Sequence, residues 1–246
     1  MKTVMITGCS SGFGLAIARH FLRHNWKVIA TMRVPREDVL PQSDHLRVMA
    51  LDVTDPSSIR RALEMAGPID ILVNNAGIGA ACPFELTSLE QSRALFETNT
   101  FGTIAMTQAV LPQFRERRAG VIINISSSVT LAALPLVSVY SASKAAVNAL
   151  TRSMAVELAP FGIRTHLVLP GRSPETQFGA NAHFAGMDHE AYADFAQHTL
   201  AGMREASGPV TYATNVAEAV WLAATDPSSQ LEIPAGEDAI MMADAG

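Results

Sequence analysis

The 246-residue chain is poor in several features that define whole classes of protein. It has two cysteines, Cys9 and Cys82, at no metal-ligand spacing, so a disulfide scaffold is excluded and a reducing cytoplasm is the expected compartment. No run approaches the roughly twenty apolar residues that a membrane span requires. The opening MKTVMITGCSSGFG enters a glycine turn too early to leave room for a secretory apolar core. Nor is there an excess of positive charge: 18 Lys and Arg against 23 Asp and Glu give a formal net charge of -5, with the basic residues scattered. That argues against nucleic acid or an anionic membrane as the main partner. Linkers, internal repeats and low-complexity segments are also missing.

What is present is an alternating, packable chain. Apolar residues make up 48% and charged residues 17%, the balance of a globular protein with a substantial core. Short β-type runs at 2–6, 27–31, 46–53, 70–75, 120–126 and 163–169 predict buried parallel strands. Helix-like segments lie near 12–24, 57–66, 88–117 and 139–159. Strand–helix–strand units with right-handed crossovers give a Rossmann-type, doubly wound parallel sheet with helices on both faces, in a single α/β domain spanning 1–246. The pattern loosens after Pro170, with helical pieces near 188–203 and 214–225. An irregular insertion at the carboxyl end of a strand is usually functional, so 171–210 is assigned as a substrate loop or lid.

Three glycines, Gly8, Gly12 and Gly14, lie between the first strand and first helix. Glycine permits the tight turn and the close approach of a pyrophosphate, and free N–H groups at a helix N-terminus attract anions. A dinucleotide site that prefers NAD usually carries an acidic residue after the second strand. Here the stretch is ATMRVPRED, where Thr31 and Met32 offer no carboxylate and Arg33 suits a 2′-phosphate. NADP(H) is therefore favoured, while Glu37 or Asp38 reaching a ribose keeps NAD(H) open.

Within SVYSASKAAV, Tyr140 and Lys144 are four apart, which puts phenol and ammonium on one helical face. Reducing a ketone requires a proton for the developing alkoxide. A nearby ammonium is expected to lower the phenol from its ordinary value of about 10. A shift of two or three units takes about 3–4 kcal/mol of electrostatics.

TGCSSGFG (7–14), LDV (51–53), NNAG (74–77), Asn99 in NTFG, NISS (124–127), YSASK (140–144) and PG (170–171) follow one another in an order that resembles the classical short-chain dehydrogenase/reductases over residues 2–171. The resemblance implies a catalytic tetrad of Asn99, Ser127, Tyr140 and Lys144. Ser127 is chosen over Ser126 and Ser128 because the family's serine lies thirteen positions before its tyrosine. Lys144 is implied to bond the nicotinamide ribose, Ser127 the substrate oxygen, and Asn99 a relay water. The implied cofactor site takes Gly8, Ser10, Ser11, Gly12, Phe13 and Gly14 from the turn, with Arg33, Asp52 and Val53 on the adenine side. Asn75, Ala76, Gly77, Tyr140, Lys144, Pro170, Gly171 and Thr176 complete it.

Three stretches depart from that family pattern. PGRSPETQF is one residue longer than the usual loop, so Glu175 stands where a threonine is expected and Thr176 takes its assignment. Arg172 and Pro174 are unusual there. His166 replaces a common asparagine and reads as a buried, hydrogen-bonded side chain, while His183, His189 and His198 have no ligand-like spacing; no metal is expected. The ending LEIPAGEDAIMMADAG, with a PAG-D pattern, and the ATMR stretch are similar to hydroxysteroid- and retinol-type reductases.

Leu131, Leu134, Leu136 and Val137 are expected to form an apolar substrate wall, with Phe178, Phe184, Met187 and Phe195 above it. A fairly hydrophobic ketone, aldehyde or alcohol is the expected small-molecule partner. The alternatives are NAD-dependent alcohol oxidation on the same fold, or a non-catalytic dinucleotide-binding regulator. A homodimer or homotetramer is implied by analogy through 88–117 and 139–159.

Overall fold

The computed structural model describes residues 1–205 and 207–245; for Phe178, Ala180 and residues 203–205 it describes backbone alone. The N-terminal half alternates β1 (Thr3–Ile6), α1 (Gly12–Arg23), β2 (Lys27–Met32), β3 (Leu46–Ala50), α2 (Pro56–Ala66), β4 (Ile71–Asn74) and the short β5 (Ala80–Ala81). Then come α3 (Leu89–Phe96), a π-turn (Glu97–Phe101), α4 (Gly102–Glu116), β6 (Gly120–Ile125), α5 (Ser138–Leu158) and β7 (Ile163–Pro170). The remainder contains α6 (Phe178–Asn181), β8 (His183–Phe184), α7 (Ala193–Glu205), α8 (Ala213–Thr225), β9 (Glu232–Ala235) and α9 (Glu237–Asp244).

Seven strands form one parallel sheet in the order β3-β2-β1-β4-β6-β7-β9. The order reverses beside β1, and that switch point opens a crevice at the carboxyl ends of the strands. Met5 of β1 sits opposite Ile29 of β2 and Leu72 of β4. Two-residue alternation then divides the core between the two faces. Val4, Ile6, Ile71, Val73, Val121 and Ile123 pack with Ile17 and Phe21 of α1 and Val216 and Val220 of α8. Met5, Ile29, Leu72 and Ile122 point the other way, against Ile59 of α2 and Met106, Val110 and Phe114 of α4.

Three features differ from the expected pattern. The sheet has a seventh strand, β9, pairing in parallel with β7 through Leu167↔Glu232 to Pro170↔Ala235. Its four residues EIPA carry a charge and a proline and lack a hydrophobic run, and only its edge position tolerates Pro234. The 88–117 segment is two helices separated by the π-turn, rather than one. The loop after Pro170 is partly ordered: β8 pairs with β5 (Ala80↔His183, Ala81↔Phe184), and Tyr192 Oη donates to Glu85 Oε2 at 2.7 Å.

Candidate active site

A cleft of about 640 Å³ opens at the carboxyl ends of β1, β2, β4 and β6. At one end lies the glycine turn. Gly8 has φ +75°, and a Cβ there would stand 2.9 Å from Ala76 Cα, so the turn needs glycine for both conformation and space. At Gly14 a Cβ would overlap Gly8 O and Asn75 Nδ2, which is why this glycine lies beneath the turn and outside the cleft lining. The Asn75 amide donates to Thr7 O (2.8 Å) and Gly8 O (3.1 Å). Thr7 Oγ1 in turn receives Asn75 N and Ala76 N, each at 2.9 Å. Sequence reasoning passes over Thr7, although it opens the TGCSSGFG run. With no acidic side chain in its first turn, α1 presents its positive end to the cleft.

Ser10, Ser11, Gly12 and Phe13 line that end, as do Arg33, Asp52 and Val53. Asp52 Oδ1 is held by Thr54 N (2.9 Å) and Thr54 Oγ1 (2.7 Å). Arg33 faces the cleft, whereas Asp38 pairs with Arg36 at 3.1 Å and lies away from it. This set suits a dinucleotide: a glycine cradle that any Cβ would fill, a helix N-terminus for phosphate and a cation beyond β2.

The other end is built on α5. Its buried stripe is Tyr140, Ser143, Lys144, Val147, Asn148, Thr151 and Met154, the spacing of one helical face, yet most of these side chains are polar. Each polar group therefore needs a partner. Ser143 Oγ donates to Tyr140 O (2.7 Å) and receives Asn99 Nδ2 (3.0 Å). Lys144 Nζ donates to Ile125 O (3.0 Å), and Thr151 Oγ1 receives Asn124 Nδ2 (2.9 Å). Ser127, directly after β6, accepts Val129 N at 3.3 Å as the cap of a short 3-10 turn.

Asn99 sits in the π-turn, and its side chain grips Ile78 through Oδ1 to N (2.9 Å) and Nδ2 to O (3.0 Å). Both amide hydrogens are thus committed. Asn99 stands behind the cleft wall, and a Cβ at Gly77 would lie 3.2 Å from its Oδ1 and 3.4 Å from Lys144 Nζ. The geometry thus gathers Ser127, Tyr140 and Lys144 at the cleft, with Asn99 behind Gly77.

The electrostatics differ from the expectation for Tyr140. Burial pushes its phenol up to about 12, opposed by a hydrogen bond with Ser127. Burial also pulls the Lys144 ammonium down to about 8. Each group loses its water on burial, and desolvation dominates at both. At neutral pH the pair stands as phenol and ammonium, both carrying a proton to give.

Pro170 and Gly171 line the cleft at the end of β7. Arg172 N donates to Asp238 Oδ2 (2.6 Å) and Thr211 N to Arg172 O (2.8 Å). Thr211 Oγ1 donates to Asp238 Oδ1 (2.6 Å), has Ala235 O at 2.8 Å, and receives Gly171 N at 2.9 Å. Glu175 Oε1 accepts Ala213 N at 2.6 Å, capping α8. The extra loop residue is absorbed by that cap, and Thr176 faces the cleft, where a Cβ on Gly12 would touch it at 3.7 Å. Sequence reasoning misses Thr211 and the role of Asp238, for which the PAG-D ending is the sole signal. Ile78, Thr98, Ser173 and Asn181 also line the cleft without having been expected.

The apolar wall is placed differently. Leu131 turns back onto Val147, Leu167 and Leu169 because the 3-10 turn at 128–130 redirects the chain. Leu136 and Val137 join Ala81, Met187 and Ala196 in a small cluster beside β5. Leu134, Phe184 and Phe195 are exposed, and the Phe178 side chain lies outside the described residues. His166 is buried, with Nδ1 bonded to Gln230 O (2.8 Å) and Nε2 to Arg164 (3.0 Å).

Residues 2–185 match the short chain dehydrogenase family. The chain belongs to that family of oxidoreductases. It is 42% identical over 181 residues to the uncharacterized oxidoreductase YusZ of Bacillus subtilis, covering 69% of this chain and 64% of that one. The chain thus spans just under two thirds of that relative's length. Over 225 residues it is 36% identical to retinol dehydrogenase 8 of Bos taurus, covering 83% and 71% respectively, in keeping with the retinol-type likeness of ATMR and PAG-D. Among solved structures, a short-chain dehydrogenase from Streptomyces avermitilis superposes with a TM-score of 0.88 at 35% identity, covering 99% of this chain and 91% of that one. A serine dehydrogenase complexed with NADP+ gives 0.81 at 30% identity, covering 96% and 95%. A 3-ketoacyl-(acyl-carrier-protein) reductase from Brucella melitensis complexed with NADH gives 0.81 at 28%, covering 96% of each chain. Both nicotinamide dinucleotides therefore occur in close structural neighbours of this short-chain dehydrogenase. Among its described residues no helix is long and apolar enough to cross a membrane.

Proposed function

We propose that this short-chain dehydrogenase reduces a fairly hydrophobic ketone or aldehyde to its alcohol, with NADPH as the favoured cofactor. The observation that carries the reading is the meeting of Ser127, Tyr140 and Lys144 at one end of a single cleft whose other end is the glycine turn. A bound nicotinamide supplies or accepts the hydride. Tyr140 Oη gives its proton to the substrate oxygen, and Ser127 Oγ donates a hydrogen bond to that oxygen as negative charge develops. Lys144 Nζ holds the ribose and replenishes Tyr140, and Asn99 holds a relay water. Gly8, Ser10, Ser11, Gly12, Phe13, Asp52, Val53, Asn75, Ala76, Gly77, Pro170, Gly171 and Thr176 surround the cofactor, with Gly14 beneath. Arg33 meets the 2′-phosphate, a reading supported by its place in the cleft and by the engagement of Asp38 with Arg36.

Residues 171–210 act as the substrate lid, fastened through β5–β8 and Tyr192–Glu85. Exposed Leu134, Phe184 and Phe195, and the likeness to a retinol dehydrogenase, support an apolar substrate. Exposed Leu89, Phe101 and Val156 along α3, the π-turn and α5 support a homodimer or homotetramer. The two free, buried cysteines suit a cytoplasmic setting.

A panel of ketones and aldehydes followed by loss of NADPH absorbance tests the reading. Tyr140→Phe should bind cofactor normally and lose most turnover. Near-wild-type turnover refutes the role of Tyr140, and cofactor binding without turnover on any carbonyl or alcohol supports the regulator instead.

A further inference from the structure

One residue of the polar stripe of α5 reaches the loop that carries Ser127. Asn148, one turn after Lys144, is 6% exposed and spends both ends of its amide on the loop that carries Ser127. Its Oδ1 accepts Ser126 Oγ at 2.5 Å. Its Nδ2 donates to Thr130 Oγ1 at 2.9 Å, and Thr130 Oγ1 donates onward to Ser127 O at 2.8 Å. Ser126 Oγ also lies 3.4 Å from Lys144 O on the same helix. Asn148 thus grasps the residues on both sides of Ser127, and one grip ends on the Ser127 carbonyl itself.

We propose that Asn148 is a positioning residue that locks the Ser127 loop to the helix bearing Tyr140 and Lys144. This rests on the proposed roles of Ser127 and Tyr140. β6 and α5 are separate elements, joined by the irregular stretch 126–137. Lys144 Nζ ties α5 to Ile125 O at the end of β6, and Asn148 adds the ties that reach the residues on either side of Ser127. An amide suits the task because it offers an acceptor and a donor on one planar group, and the two partners need one of each: Ser126 gives its hydrogen, while Thr130 has already given its own to Ser127 O. A leucine or valine could fill the space but could not hold either hydroxyl. Chains of hydrogen bonds of this kind strengthen one another in a buried setting. The Ser127 hydrogen bond is also what holds the Tyr140 phenol down against burial, so loosening the loop reaches the proton donor as well as the oxyanion donor.

The test is a double-mutant cycle with Asn148→Ala and Ser127→Ala, measured on the best substrate of the carbonyl panel. Asn148→Ala should lower kcat on the order of 100-fold, the scale set by misplacing a reacting group by about 1 Å, with NADPH affinity within about twofold of wild type. In the Ser127→Ala background it should cost no more than about twofold further, because the group being positioned is already gone. The rise of alcohol oxidation with pH, which follows loss of the Tyr140 proton, should move to higher pH in Asn148→Ala, as it should in Ser127→Ala. Thr130→Val keeps the shape and cuts only the arm to Ser127 O; it should lower kcat about tenfold, and it decides the matter if Asn148→Ala does not fold. Full additivity in the cycle, or a loss of thermal stability with kcat unchanged, overturns the proposal. Normal turnover in Asn148→Ala beside an inactive Tyr140→Phe defeats this inference alone. Normal turnover in Tyr140→Phe defeats the proposed function.

Discussion

A methyl group at position 171 has nowhere to go. A Cβ on Gly171 would overlap both carboxylate oxygens of Asp238. That carboxylate receives Arg172 N and Thr211 Oγ1, each at 2.6 Å, and so fixes the loop after β7 where it borders the cleft. Gly171→Ala should displace Asp238 and forfeit both bonds. A hydrogen bond to a charged group contributes about 1.5–3 kcal/mol, and the half-buried position of Asp238 argues for the lower end, so the loss is about 3 kcal/mol. Asp238→Ala forfeits the same two bonds and should cost the same. The double variant should therefore cost about 3 kcal/mol in place of about 6, since removing the Asp238 carboxylate vacates the space that the added methyl needs. Urea unfolding followed by the fluorescence of Trp26 and Trp221 measures all three, and titration with NADP+ reports whether the loop still borders its ligand. Additivity within about 0.5 kcal/mol would refute the clash and, with it, the claim that Asp238 holds this loop.

Arg33→Ala should reduce the preference for NADPH over NADH by about 10–100-fold, the worth of one charge-assisted pair, and an unchanged kcat/KM ratio counts against its assignment. Lys144 is pulled from its ordinary 10.5 down to about 8, so carbonyl reduction should hold below pH 8 and decline above it as the ammonium discharges, while Tyr140 keeps its proton to about 12. The same lowered value means that the unfolded chain binds more protons between about pH 8 and 10.5. Stability should therefore rise with pH across that window, and a Lys144→Met variant should lose that rise in pH-dependent urea melts. Phe114→Ala should cost about 3–5 kcal/mol in urea unfolding, because its fully buried ring fills the α4 face and abuts Gly120; a loss below about 1 kcal/mol would mean that the site collapses freely.

Much of the sheet was legible because aliphatic runs such as Ile71–Val73 and Val121–Ile123 are bounded by turn residues or polar side chains, and a buried strand needs little else. The Tyr140–Lys144 pair was legible because four-residue spacing on a helix fixes its geometry. β9 was not, since its stability comes from pairing along β7 and not from its own four residues. Leu131 shows a second limit: a turn of three residues decides whether a side chain meets the cleft or the core, and apolar character alone does not reveal which. Tyr140 shows a third. Counting charges suggested a lowered phenol, but the outcome hangs on how much water each group loses, which is a property of the packed site. The roles of Asn148 and Asp238 were hidden for a related reason, because their partners lie 18 or more residues away.

The π-turn at Glu97–Phe101 has a bearing on chain length. Such a turn amounts to an α-helix with one residue too many, and each residue adds about 100° of rotation. Deleting a single residue here would join α3 and α4 into one continuous rod and swing Leu89–Phe96 by about that angle relative to α4. Asn99 would then lose its hold on Ile78 and Ser143 without any substitution at those positions. Chain length through this turn is therefore as much a condition of the site as the side chains of Asn99 and Thr100.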